Sequence, residues 1–252
     1  MSQNVSLPLN EAPYSQVLYV DPATGRRLRS RITDALARVP FELAEPIRTF
    51  PAYRNRRSHS GRYFFSQSGS HVSYESRFEK TALTWFDFCG DALAVSSNPF
   101  FFLWPKGSKP VRHVPDFFFK RRSRCPLLVD VKPEDRMTDA DRLQHERSRE
   151  ACGQLGWEYD EFTIIDRRVE LNLRFLSGYS HPRFGPTADP RAACTAALEE
   201  KSLSIAELVE RTRKATGLAE AEVLSGIYHL IWTGDLRISL DEPLGWAARV
   251  FR

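Results

Sequence analysis

Apolar residues recur at helical spacing in four stretches of the chain. In the first, Phe78, Ala82 and Trp85 form one stripe, and Glu75, Glu79, Leu83 and Phe86 form a second. This predicts a helix over 74–89, capped by Ser73, with Glu75 in its first turn and Gly90 at its end. Thr138, with Asp141 three residues on, predicts a second helix to about Leu155, stopped by Gly156. Ser204 and Glu207 make the same capping pattern ahead of Ile205–Thr216, and a fourth helix spans 219–232 with Val223, Leu224, Ile227, Leu230 and Ile231 on its apolar side. β-Formers dominate elsewhere. Ala92–Trp104 reads as one or two strands broken at Asn98-Pro99, and Val111–Phe119, Leu127–Lys132 and Trp157–Ile165 as further strands.

The order helix, two or three strands, helix, strand defines a mixed α/β core of about a hundred residues. Residues 1–30 read as irregular, Ile32–Val39 as one or two helical turns, and Pro40–Phe50 as extended. Ser58–Ser70, rich in Ser and Gly, reads as a hairpin or loop. Gly178, Pro182, Gly185, Pro186 and Pro190 predict a linker. The tail then reads as helix, turn, helix and short strand (Leu236–Leu240), the outline of a winged-helix domain. The expected division is a basic N-terminal extension over 1–70, a core over 71–180, a linker over 181–200 and a C-terminal domain over 201–252.

The 252 residues, 42% hydrophobic and 12% aromatic, supply enough apolar area for a substantial core, which excludes general disorder. No apolar run approaches the roughly 20 residues that a bilayer span needs, so no membrane partner is expected. The start of the chain shows no secretory leader pattern. Cys89, Cys125, Cys152 and Cys194 are scattered without a C-x-x-C pair, which predicts reduced thiols rather than a disulfide framework or zinc site.

Net charge is only +4, but it is uneven. Residues 1–70 carry ten arginines and no lysine against five acids, while 71–190 balance and 191–252 are slightly acidic. The excess is densest at Arg54, Arg56, Arg57 and Arg62, interleaved with Tyr53, Tyr63, Phe64 and Phe65. Arginine among aromatics suits phosphate contact, and a solvated loop face is the alternative. Of the 36 basic residues only 7 are Lys, so each lysine draws notice, because arginine does not replace a compact titratable ammonium.

The candidate chemistry lies in His113-Val114-Pro115-Asp116-Phe117 and Val129-Asp130-Val131-Lys132-Pro133. Residues two apart on a strand share a face, so Asp130 and Lys132 project together from an otherwise apolar strand. Burying two charges there is costly unless they are paired or used. Asp116, on the preceding strand, can reach the same end of the sheet, and Glu79 would come from the neighbouring helix. Three carboxylates within about 4 Å repel by roughly 4 kcal/mol per pair at an effective dielectric near 20. They then hold either a proton or a divalent cation, and an all-oxygen set favours Mg²⁺ or Mn²⁺. A structural Asp130–Lys132 salt bridge is the plainer alternative. His113 reads as a hydrogen-bonded strand residue and Trp157 as core.

These motifs resemble the PD-(D/E)xK nuclease superfamily, whose core runs helix, three strands, helix, strand. Together with Ser76-Arg77-Phe78-Glu79 and Phe86-Asp87-Phe88, they more narrowly resemble the TnsA-type endonuclease subunit of heteromeric transposases, over about residues 45–185. The resemblance implies a restriction-endonuclease-like α/β fold with a C-terminal winged-helix-like domain. It implies Mg²⁺-dependent hydrolysis of double-stranded DNA at the 5′ ends of a mobile element, with Mn²⁺ able to substitute. It also implies a DDE-type transposase partner, an AAA+ ATPase regulator and a bacterial cytoplasmic setting. Glu79, Asp116, Asp130 and Lys132 are then catalytic. Glu79, Asp116, Asp130 and the Val131 carbonyl are metal ligands, and Glu75 rivals Glu79. Some family members carry Gln where this chain has Asp130. The alternatives are a restriction or defence nuclease of the same fold and a non-catalytic DNA-binding assembly subunit.

Overall fold

The computed structural model describes residues 15–48, 59–105, 111–122, 124–198 and 202–252. Along the chain lie β1 (Gln16–Val20), β2 (Arg27–Arg31), α1 (Asp34–Ala37), β3 (Gly61–Phe65), β4 (Ser70–Tyr74), α2 (Arg77–Cys89), β5 (Ala92–Ser97) and β6 (Phe100–Trp104). Then follow β7 (Val111–His113), β8 (Phe117–Arg121), β9 (Leu127–Val131), α3 (Asp139–Leu155), β10 (Glu158–Phe162) and α4 (Arg167–Leu176). The chain ends in α5 (Ala188–Ala197), β11 (Leu203–Ser204), α6 (Ile205–Thr216), α7 (Glu220–Trp232), β12 (Arg237–Ile238) and β13 (Arg249–Phe251). The fold is mixed α/β.

Two compact units share these elements: residues 1–62, 72–79 and 92–163 form the first, and 63–71, 80–91 and 164–252 the second. The first holds two four-stranded sheets, ordered β2-β1-β6-β7 and β10-β9-β8-β5. Within the latter, β5, β8 and β9 run antiparallel in turn, and β10 joins β9 in parallel after the α3 crossover. Phe41 centres the core of this unit. Fully buried, its ring meets Tyr19, Phe100, Phe118 and Trp157 edge-on, with centroids 4.8–5.8 Å apart. Leu128, Ala151, Cys152 and Leu155 extend the core where α3 covers β9.

Several differences from the sequence pattern have local causes. Residues 1–30 are not irregular throughout, because β1 and β2 form a hairpin. Asp21 closes its turn by accepting from Ala23 N and Thr24 Oγ1, and Gly25 takes the left-handed φ of 67° that the turn requires. In Pro40–Phe50, expected as extended, a short 3₁₀ turn at Phe41–Leu43 swings Phe41 inward. Helix α2 starts at Arg77 rather than near Tyr74. Ser76, not Ser73, accepts the Glu79 N–H at 3.1 Å, because Ser73 and Tyr74 are still paired in β4. Thr138 and Ser204 do form full capping boxes, and Gly156 and Gly217 end their helices in the left-handed conformation.

In the second unit, the expected linker over 181–200 is not open in its described part, residues 181–198. They contain α5, whose Cys194 and the following Leu198 are buried with Leu203, Ile205, Leu208, Ile227, Trp232 and Val250. The Gly/Pro cluster instead makes the turn Pro182–Phe184 before this helix. α4, absent from the sequence reading, is capped by Asp166, which accepts from Arg168 N and Val169 N. The tail packs α5, α6 and α7 with a small antiparallel sheet, β11-β13-β12. Asp87 on α2 is fully buried, and its carboxylate accepts from Tyr63 OH, Ser66 N, Ser66 Oγ and Gln67 N.

Candidate active site

Asp116 sits where the chain enters β8. Its N–H bonds the carbonyl of Val129 at 3.2 Å, just ahead of the Phe117–Val129 pair that opens the β8–β9 ladder. The Asp116 carboxylate reaches along β9, where Oδ2 accepts the Val131 N–H at 2.7 Å. Burial first, then the charges of Asp130 and Glu79, hold the Asp116 carboxyl well above the ordinary carboxylate range; the Val131 bond and Arg48 oppose them.

Asp130 lies in the middle of the apolar run of β9 and is 2% exposed. Its Oδ2 is held twice, by His113 Nε2 at 2.9 Å from β7 and by Tyr159 OH at 2.8 Å from β10. Its Oδ1 is buried with no hydrogen-bond partner among the described residues. An orphaned carboxylate oxygen in a dry setting is costly. Burial first, and then the Asp130 charge, push the Tyr159 phenol up, so Tyr159 stays a donor.

Glu79, in the first turn of α2, accepts the Glu75 N–H through Oε2 at 2.6 Å. Burial is the main cause pushing its carboxyl up, and the Glu75 charge adds to it. Lys132, two residues beyond Asp130, reaches α3 rather than the carboxylates: its Nζ is 3.2 Å from Asp141 Oδ2. Asp141 is the capping-box acid of α3, and the Thr138 hydroxyl foremost, with Lys132 contributing, holds its carboxyl below the ordinary range.

A residue that the sequence reading passed over connects this end of the sheet. Asn98 occupies the kink between β5 and β6 with a left-handed φ of 48°, unusual for a residue with a side chain, and is buried. Its N–H donates to the Asp116 carbonyl and its own carbonyl accepts from Ile47 N, both at 2.8 Å. Its side-chain oxygen accepts from Arg48 Nε and its amide donates to Glu75 Oε1, both at 3.1 Å. Arg48 also stands 3.6 Å from Glu75. Asn98 thus fixes the backbone of Asp116 and the neighbours of Glu79 at once. The Asn-Pro pair marked a break in the strand, but nothing local marked these tertiary partners.

The structure therefore brings Glu79, Asp116 and Asp130 into one electrostatic neighbourhood and ties Lys132 to Asp141. Among the described residues no three His, Cys, Asp or Glu side chains form a ready-made metal cage. Arg54, Arg56 and Arg57 lie outside the described residues, and Arg62 is exposed on β3. No helix among the described residues is long and apolar enough to cross a membrane. No known protein family matches this chain, and neither does any curated protein.

Proposed function

We propose that this chain is a divalent-cation-dependent DNA endonuclease of the PD-(D/E)xK kind, acting as a TnsA-like subunit beside a DDE-type transposase and an AAA+ ATPase. One observation carries the reading: Asp116 is crowded by the charges of Asp130 and Glu79, while Asp130 keeps a buried oxygen without a donor among the described residues. Repelling carboxylates and an unmet acceptor are both relieved by a cation. The reading is supported by the run α2, β5, β8, β9, α3, β10, interrupted between β5 and β8 by β6 and β7 of the other sheet, which is compatible with the helix, three strands, helix, strand order expected of that superfamily. The helix and sheet composition of the tail is compatible with a winged-helix-like domain.

Asp116 and Asp130, with Glu79, would hold Mg²⁺ or Mn²⁺, and the Val131 carbonyl is the further ligand that the resemblance suggests. The bound ion would polarise a phosphodiester and lower the pKa of attacking water. His113 and Tyr159 orient the Asp130 carboxylate by hydrogen-bonding one of its oxygens. Asn98 and Val131 fix the Asp116 backbone and carboxylate. Lys132, released from Asp141, would neutralise charge building on the phosphorus centre.

The reading as a non-catalytic DNA-binding assembly subunit draws on that same Lys132–Asp141 pair, which holds the ammonium away from the acids. Two measurements separate these readings. Calorimetric titration with Mn²⁺ should give binding that Asp116→Ala removes. Supercoiled-DNA nicking with the transposase partners and Mg²⁺ should be lost in Asp116→Ala and Lys132→Ala. Mn²⁺ binding without nicking would leave only the assembly reading, and 5′-end cutting by both variants would refute the site.

A further inference from the structure

Strand β2 has the sequence Arg-Leu-Arg-Ser-Arg and is an edge strand of its sheet. By the alternation of a strand, Arg27, Arg29 and Arg31 share one face, about 6.8 Å apart from one to the next. The register sets them opposite Val20, Leu18 and Gln16 of β1. The other face carries Val17 and Tyr19 into the aromatic core, so the arginines stand on the side away from it. Arg29 Nε donates to the Gln16 side chain, which holds that guanidinium along the face. At the far edge, Arg112 lies opposite Leu103 and joins the same face, whereas the next residue, His113, turns the other way and bonds Asp130. Leu18 and Leu103 in the middle are buried, so the exposed charge runs along the two margins, with Arg27, Arg31 and Arg112 exposed.

We propose that this arginine row is a docking site for the sugar-phosphate strand of duplex DNA. Its even spacing is comparable to that of successive phosphates along a nucleic-acid strand, and guanidinium groups bond phosphate oxygens through paired N–H donors. A single basic patch for an acidic peptide would not need the repeat. The proposal rests on the nuclease reading for its choice of DNA, and it adds a site outside the Arg54–Arg62 segment. Sheet geometry gives it a use: β7 carries Arg112 outward and His113 to Asp130, so a strand held on this face has a fixed relation to the carboxylates.

The test measures binding of the full chain to a labelled duplex by fluorescence anisotropy across a KCl series, in EDTA so that cleavage plays no part. The variant is Arg27→Gln, Arg29→Gln and Arg31→Gln together. Losing three phosphate contacts should flatten the slope of log affinity against log salt by about 2.7, roughly a hundred-fold or more at about 0.1 M salt. The Arg→Lys triple at the same positions should keep the slope, which guards against an effect of unfolding. An α6 triple (Arg211→Gln, Arg213→Gln, Lys214→Gln) controls for net charge.

An unchanged slope in the β2 Gln variant, or an equal loss in the α6 control, overturns the proposal. So does self-association of the Gln variant with an unchanged slope, since the arginines would then only guard an open sheet edge. Wild-type protein that binds no duplex overturns the row and the nuclease reading together. Wild-type binding that the Gln variant retains overturns the row alone.

Discussion

Replacing Asp116 by Asn should make the metal-free protein more stable while removing its response to divalent cations. An Asn oxygen still accepts the Val131 N–H, so the main local contact survives. What is lost is a negative charge facing Asp130 and Glu79. Two unit charges interact by roughly 4 kcal/mol at about 4 Å and about half that at twice the distance, at an effective dielectric near 20. Wild-type protein relieves part of this by holding a proton, so the net gain is about 1–2 kcal/mol, or a rise in Tm of roughly 2–8 °C. The pH dependence has a definite sign. The folded-state pKa of Asp116 is raised, so folded protein holds this proton more tightly than unfolded protein. Below the ordinary carboxylate value of 3.8 both states are protonated and the two proteins should match. As pH rises through the raised pKa, wild type loses stability that Asp116→Asn retains, so the gap widens towards pH 8. Mn²⁺ should reverse the ranking, since binding at 100 times Kd stabilises by about 2.7 kcal/mol only where the site is intact. Thermal melts in EDTA and in Mn²⁺ at several pH values measure all of this. A variant less stable than wild type at pH 8 in EDTA would refute the crowded-carboxylate argument.

Tyr159→Phe removes one of the two donors to Asp130 Oδ2 and should weaken Mn²⁺ binding roughly ten-fold by calorimetry, as loss of an outer-shell partner commonly does. Asn98→Ala loses the bonds to Arg48 and Glu75 and forces an alanine into a left-handed backbone, for a combined cost of about 2–4 kcal/mol in urea unfolding. Asn98→Gly keeps the side-chain loss but relieves the backbone, so it should recover about 1 kcal/mol of that; equal costs for the two would rule out backbone strain at the kink.

Where the sequence was readable, the signal was local. The capping boxes at Thr138 and Ser204 are complete within four residues, so α3 and α6 start where the pattern put them. β8 and β9 are short and almost wholly buried, and such apolar runs bounded by turns announce themselves. β2 did not, because its alternation sets arginine against leucine and serine and reads as polar chain. α5 was hidden by the Gly and Pro residues beside it and by a composition rich in alanine. At the site, two carboxylates on consecutive strands were legible from spacing alone. The Lys132 pairing was not, since Asp141 is nine residues on and meets it only once α3 folds back. Nor was the role of Tyr159, whose partner lies across a parallel ladder formed by the crossover.

The path of the chain also bears on how such a gene can be rearranged. The backbone passes from one compact unit to the other five times, so neither unit is a continuous stretch of code. A fragment starting at Ile164 would leave the Trp232 indole N–H without Ser66, its acceptor 166 residues upstream. Recombination that grafts a new C-terminal half at that point would therefore inherit an unfinished core. Variation in this protein is expected to accumulate by point substitution and loop change, with both halves descending together.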